Sequence, residues 1–273
     1  MHTTPRRALR LTASLLALLL VAACGDTEEE ELEALAQKNE SVEELYAKAT
    51  QSFNAAKYKP AVEQFEEVER QHPYSPWAAR GQVMAAYSAY RAGMFEDAVA
   101  ILDRFVKLHP THKSTPYAYY LKALCYYIQI SDVGRDQKTT QQARDSLREV
   151  VERYPDSEYA RDAKLKLDLT DDHLAGKEME IGRYYLQRDE YIAAANRFKH
   201  VVDDYQTTSH TAEALHRLVE VNLRLGLTGE AKKYAAVLGY NFPGSDWYKF
   251  SYEMMKGNLS PEEKKTFTDY LVP

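Results

Sequence analysis

The stretch Phe95-Glu-Asp-Ala98-Val-Ala-Ile-Leu102-Asp-Arg-Phe105-Val-Lys-Leu-His109-Pro110 decides the fold. A small residue opens it, apolar residues follow at +4 and +7 from Ala98, and a proline stands at +12. The +4 and +7 positions share one face of an α-helix, and the proline stops that helix because it has no N–H and clashes with the preceding turn. The same template recurs at Ala61, Phe65, Val68 and Pro73, and again at Ala143, Leu147, Val150 and Pro155. Two further copies are Ala194, Phe198, Val201, with Gln206 in place of the proline, and Ala231, Ala235, Leu238 and Pro243.

The five alanines stand 37, 45, 51 and 37 residues apart, so each interval must house a second helix. Start signals for those helices are present. Ser41-x-x-Glu44 is a capping box, Ser75-Pro76 and Thr115-Pro116 pair an N-cap with proline at the first helical position, and Ser157 and Ser245 repeat the offset of Ser75. Each unit is a helical hairpin that buries its apolar stripe by stacking on its neighbours. The 45-residue interval contains a polar insertion, Ser131–Thr140. The 51-residue interval predicts a long helix from about Ser157 to Leu186, with a break near Gly176. Glycine and proline, 11 and 10 of 273 residues, are scarcer than the roughly 12% of an average chain, which favours long helices over many short strands.

This combination resembles the tetratricopeptide repeat, which implies an all-α solenoid of five hairpins over residues 41–250, followed by a C-terminal tail, 251–273. Gly93 and Gly226, five residues before their alanines, match that family's turn glycine. Ala56, Lys138 and Asp189 do not, so those turns are expected to be individual.

The N-terminus reads as an address. Arg6, Arg7 and Arg10 precede the apolar run Leu11–Ala23, whose thirteen residues would make about 20 Å of helix, short of the roughly 30 Å hydrocarbon core. Residues 1–23 are therefore a cleaved leader rather than a membrane span. Val21-Ala22-Ala23-Cys24-Gly25 resembles the bacterial lipobox, which implies lipidation of Cys24 and a lipid anchor continued by an acidic tether, 24–40. Removing the leader takes the formal charge from -6 to -9, an unfavourable balance for tracking a nucleic-acid backbone. Cys125, in the apolar run Leu121–Ile128, has no disulfide partner once Cys24 carries lipid, and is expected to be a buried small hydrophobe.

The C-terminal half narrows the resemblance. Ile181-Gly182-Arg183-Tyr184-Tyr185-Leu186, Tyr191-Ile-Ala-Ala-Ala-Asn196-Arg197-Phe198 and Pro243-Gly244-Ser245-Asp246-Trp247-Tyr248 are similar to the BamD (ComL) family of outer-membrane lipoproteins. That resemblance implies a non-enzymatic part of the β-barrel assembly machine, lipid-anchored on the periplasmic face of the outer membrane, with no cofactor besides the lipid on Cys24. The partners it implies are the POTRA region of BamA, other accessory Bam lipoproteins and unfolded outer-membrane β-barrel proteins.

In such a solenoid the first helix of each hairpin lines the concave face. Offsets from the repeat alanine then place Tyr46, Thr50, Phe53 and Asn54 in a client-peptide groove with Arg80, Val83, Tyr87, Tyr90 and Arg91. Tyr117, Tyr120, Leu124, Tyr127 and Ile128 follow from the third unit. Tyrosine supplies apolar area with a hydroxyl, and arginine can hold a carboxylate through two bonds. By the same analogy Arg183, Arg197, His216 and Arg224 are candidate BamA-contacting surface residues. The bland alternative is that the tyrosines pack between helices and the arginines are solvated.

Sharper chemistries find little support. His72 and His109 occupy one repeat offset and read as packing residues, and no His-Glu-x-x-His, Gly-x-Gly-x-x-Gly or Gly-x-Ser-x-Gly occurs, so neither a catalytic nor a metal site is expected. Two rival adaptors share the repeat style, a cell-division coordinator and a pilus-assembly lipoprotein. The first brings an N-terminal coiled coil, for which 26–40 is too short and lacks heptads. The second would lack the Arg-Tyr-Tyr-Leu and Ser-x-Trp-Tyr features.

Overall fold

A computed structural model of the chain describes residues 40–257. The leader, Cys24 and residues 258–273 lie outside the described residues. Among the described residues there are eleven helices and no strand. They are α1 (Val42–Asn54), α2 (Tyr58–Gln71), α3 (Pro76–Arg91), α4 (Phe95–Leu108), α5 (Thr115–Tyr127) and α6 (Lys138–Arg153), then α7 (Glu158–Gln187), α8 (Tyr191–Asp204), α9 (Thr211–Arg224), α10 (Thr228–Asn241) and α11 (Asp246–Lys256). The all-α class and the five consecutive helix–turn–helix units are as the repeat requires.

The alanine template holds residue by residue. Ala61, Ala98, Ala143, Ala194 and Ala231 are each 0% exposed, as are the +7 residues Val68, Phe105, Val150, Val201 and Leu238. At +4, Phe65, Leu102, Leu147 and Phe198 are equally enclosed, whereas Ala235 of the last copy is half-buried. In every copy the helix ends ten residues after its alanine, at Gln71, Leu108, Arg153, Asp204 and Asn241. Gln206 therefore serves as well as proline, because the helix has already stopped.

The turns correct one expectation. Ala56 (φ 57°) and Asp189 (φ 59°) adopt the same left-handed conformation as Gly93 and Gly226. All four turns close with one bond across the helix end: Lys57 N to Ser52 O (3.0 Å), Met94 N to Ala89 O (2.9 Å), Glu190 N to Tyr185 O (3.0 Å) and Leu227 N to Asn222 O (2.8 Å). This satisfies a terminal carbonyl whatever the side chain. The turns at Ala56 and Asp189 are thus not individual, and the absence of glycine leaves about 1 kcal/mol of strain at each.

Caps follow the expected residues with two exceptions, and Ser157 is the first: it stands at the N-cap of α7, but its hydroxyl donates to Tyr154 O at 2.8 Å and makes no side-chain cap bond. Ser41 and Glu44 form the reciprocal capping box, and Ser75 and Ser245 accept from Trp77 N (3.2 Å) and Tyr248 N (3.1 Å). Thr115 is not an N-cap. It is the first residue of α5, and its hydroxyl instead donates to His109 O at 2.7 Å.

The described residues group into two compact units, one ending at Asp97 and one beginning at Ala98. In the first, α2 packs against both α1 and α3. In the second, consecutive helices from α5 to α10 pack on one another, and α11 closes against α9 and α10. The long helix is continuous: α7 runs thirty residues with no break at Gly176. Gly176 is buried there because a Cβ would stand 3.2 Å from His210 Nε2. The first half of α7 contributes Ala163 to a core with Ala123, Leu147 and Val150, and its second half contributes Leu174, Ala175 and Met179 to a core with Phe198 and Leu218. The tail boundary at 251 is also corrected, since α11 crosses it and Ser251 is fully buried.

Candidate functional site

Unit one holds nine of the proposed groove residues, and six of them, Tyr46, Phe53, Arg80, Tyr87, Tyr90 and Arg91, form two aromatic sets rather than a free surface. Tyr46 packs on Phe65 (ring centroids 5.3 Å) and Trp77 (4.8 Å), with the Arg80 guanidinium 5.2 Å over the Trp77 ring. Burial pushes the Tyr46 hydroxyl upward from its ordinary pKa, and the nearby Arg80 charge acts in the opposite sense. The second set runs Tyr58, Phe53, Tyr87, Tyr90, Phe95 with centroid spacings of 5.5, 5.5, 6.3 and 5.9 Å. Arg91 lies over Tyr58 (4.8 Å) and Tyr87 (5.9 Å) and donates to the Tyr58 hydroxyl at 2.6 Å. Both guanidiniums are exposed, and among the described residues no carboxylate forms an ion pair with Arg91. Stacking orients their planes without neutralising them. The arrangement offers two fixed cations on an aromatic floor, which suits a carboxylate flanked by a ring. Tyr58 on α2 and Phe95 on α4 show that the second helix of a hairpin contributes too, which offsets along first helices alone could not reveal.

Unit two holds the other three groove tyrosines, and here packing dominates. Tyr117 and Tyr120 lie against Tyr159 of α7 at 5.4 and 5.3 Å. The Tyr120 hydroxyl donates to Asp162, and Lys166 sits 5.6 Å from the Tyr127 ring. Lys166 first, and Tyr120 second, hold the Asp162 carboxyl below its ordinary pKa. Each tyrosine is half-buried. Cys125 is fully buried, and burial pushes its thiol up to about 12, so it is inert packing as expected.

The four C-terminal candidates separate. Arg183 is held by both oxygens of Glu213 (3.1 and 3.0 Å), and Arg197 pairs with Glu178 at 3.1 Å while keeping 42% of its side chain exposed. Arg224 pairs with Glu220 at 2.6 Å and lines a cleft of about 260 Å³ with Leu223 and Met254. His216 is not a surface residue. It is 0% exposed, with its Nδ1 2.8 Å from Ser251 Oγ and its ring 5.2 Å from Trp247. Burial, and then the Arg217 charge, depress its pKa to about 3. The cause is α11, which covers α9 and which the repeat template does not reach.

Sequence reasoning passed over the charged ladder along α9. Arg217, 1% exposed, bonds Glu213 (3.4 Å) and Glu220 (2.9 Å), and Glu220 passes on to Arg224. Arg183 closes one end on Glu213, and Asp189 lies 3.7 Å from Arg224 at the other. The i, i+3 and i, i+4 spacings of Glu213, Arg217, Glu220 and Arg224 were the available signal. The ladder presents Arg183 and Arg224 at its half-exposed ends on a rigid frame.

A family model described as YfiO, outer membrane lipoprotein, matches residues 38–238. The chain is 47% identical over 253 residues to the outer membrane protein assembly factor BamD of Caulobacter vibrioides, covering 93% of this chain and 82% of that one. It is 49% identical over 212 residues to the BamD of Rickettsia prowazekii, covering 78% and 84%. It is 33% identical over 245 residues to the BamD of a Neisseria meningitidis serogroup A strain, covering 86% and 92%.

Proposed function

The chain belongs to the BamD family of outer membrane protein assembly factors, and from that premise we propose that it serves outer-membrane protein assembly as a non-enzymatic scaffold. In this reading Cys24 carries the lipid that holds the protein on the periplasmic face of the outer membrane. Lipid on one residue is sufficient only if more than one acyl chain is attached. The work is done by surfaces. The aromatic–arginine sets of unit one take segments of unfolded β-barrel clients, and the C-terminal surface around Arg183, Arg197 and Arg224 meets the POTRA region of BamA. Accessory Bam lipoproteins complete the set of partners.

The observation that carries the client reading is Arg91, exposed and placed over the rings of two tyrosines. A strand ending in an aromatic residue and a free carboxylate matches it in both charge and shape. The test is fluorescence anisotropy with a labelled client-strand peptide ending in phenylalanine, as free acid and as amide. The free acid binds more tightly to the wild type. Arg80→Ala together with Arg91→Ala weakens the free acid about tenfold, the loss of one charge-assisted bond. Equal binding of acid and amide overturns the reading. Co-purification of BamA with the full-length chain from detergent-solubilised envelopes, lost on Arg197→Glu, tests the second surface.

A further inference from the structure

α11 ends the way the first helix of a hairpin ends. Gly257 closes it at φ 74° and donates its N–H to Met254 O at 3.2 Å. Ala56, Gly93, Asp189 and Gly226 share that left-handed conformation and the same bond to the carbonyl three residues back, at 2.9, 3.1, 3.1 and 3.0 Å. Each of those four lies between a first and a second helix, and the second helix starts two residues later, at Tyr58, Phe95, Tyr191 and Thr228. Second helices end differently: His72, Tyr154, Tyr205 and Phe242, after α2, α6, α8 and α10, stand at φ -130° or -132°. The start of α11 agrees, because Ser245 caps it as Ser75 caps α3. α11 is built as the opening helix of a further hairpin.

Its packing is less closed than that of the complete hairpins. Seven residues before the turn residue stand Ala49 and Val219, both 0% exposed, and Gly182, whose Cβ would meet the Phe198 ring of α8. The equivalent residue of α11 is Phe250. Its ring centroid lies 6.3 Å from that of Trp247 and 6.4 Å from that of His216, yet it is only half-buried. Met254 and Met255, in the last turn, are half-buried too.

The sequence after Gly257 carries a partner of matching length and pattern. α2, α4, α8 and α10 are fourteen residues each, and residues 258–273 give sixteen positions. Ser260-Pro261-Glu262-Glu263 pairs an N-cap with proline at the first helical position and glutamate at the third. Phe267, Tyr270 and Leu271 then share one helical face, with Glu262, Lys265 and Asp269 opposite. Phe267 and Tyr270 are spaced as the +4 and +7 residues of the repeat are, but Glu263 stands where the repeat has alanine. A helix with no further hairpin stacked on it needs no small residue there, and a polar outer face is what a terminal cap requires. We propose that residues 261–271 form a helix that folds back on α11 and sets Phe267, Tyr270 and Leu271 against Phe250 and Met254, capping the C-terminal end of the second unit. This docking is independent of the client and BamA surfaces proposed above.

The test is amide hydrogen exchange, read by mass spectrometry on the full-length chain in detergent. Amides of 264–271 are expected to exchange about a hundredfold more slowly than those of an unstructured chain. Phe250→Ala, on α11, speeds exchange in 264–271 about tenfold, and Phe267→Ser with Tyr270→Ser speeds exchange in α11 in return. Unchanged exchange in α7 and α8 shows that the variants fold. Unprotected amides in 264–271, or α11 exchange indifferent to the double substitution, overturns the proposal. So does protection that survives Phe250→Ala, as a detergent-bound helix would show, or protection that grows with protein concentration, which would assign the helix to a second copy.

Discussion

Gly182 gives the sharpest test of how the helices fit. A Cβ built there would lie 2.8 Å from Phe198 Cδ1 and 2.9 Å from Cζ, and closer still to Cε1. Contacts this short do not occur between carbon atoms that have not bonded. The Phe198 ring is 0% exposed and sits in the core with Met179, Val201 and Leu218, so it has nowhere to swing. Overpacking a closed core costs about 1–3 kcal/mol, and this site belongs at the upper end. Alanine is the better helix former by about 1 kcal/mol, which offsets part of that. Gly182→Ala should therefore lose about 2 kcal/mol net, or roughly 4–8 °C in Tm for a domain of this size. Gly229, in the first turn of α10, has no atom within 4 Å of the corresponding Cβ. Gly229→Ala should gain up to about 1 kcal/mol by the same propensity argument. Circular-dichroism melts of both variants against wild type decide the matter. Phe198→Leu in the Gly182→Ala background should recover part of the loss, because the two sites are in contact and do not add. A Gly182→Ala protein melting at or above wild type would refute the claim that α7 and α8 meet at van der Waals distance there.

Ala143→Arg forces a long cation into a position with no exposure, and should lower the melting temperature by more than Gly182→Ala does. Ala56→Gly, which relieves a left-handed alanine, should raise stability by about 0.5–1 kcal/mol in urea unfolding. Arg217→Met removes the buried centre of the ladder but leaves Glu213 with Arg183 and Glu220 with Arg224, and should cost about 1.5–3 kcal/mol, the worth of a charge-assisted bond; an unchanged melt would mean that the central arginine contributes nothing. His216 is neutral when folded, with a pKa near 3 against about 6.5 unfolded, so the unfolded chain binds the extra proton between those values. Stability is thus fully present above about pH 6.5 and falls by about 1.4 kcal/mol per unit as pH drops below it. Urea unfolding at pH 7 and pH 5 should show that slope in the wild type and a shallower one in His216→Gln.

The repeat was legible because its signal is a distance along one helix. Alanine, +4 and +7 need only helical geometry, and five copies make the spacing unambiguous. What sequence reading missed depends on contacts between helices or on backbone angles. Asp189 and Ala56 carry no glycine, yet four main-chain bonds impose one turn on all. The family analogy put His216 on a surface, and only α11, beyond the last alanine, explains its burial. Gly176 read as a helix breaker because an isolated glycine lowers helix propensity, whereas in the structure it is a clearance for His210. The groove tyrosines were half legible. Their placement on first helices was right, but the partners that half-bury them, such as Tyr159 for Tyr117 and Tyr120, lie on the next element.

The thirty-residue α7 belongs to two cores at once, one with α6 and one with α8. A helix shared in this way acts as a common beam. At 1.5 Å per residue it is about 45 Å long, and neither neighbour can melt without loosening its grip. The third and fourth hairpins should therefore open together, with amides in α6 and α8 exchanging at matched free energies. A load applied at one end of α7 would then be felt at the other as a rigid displacement.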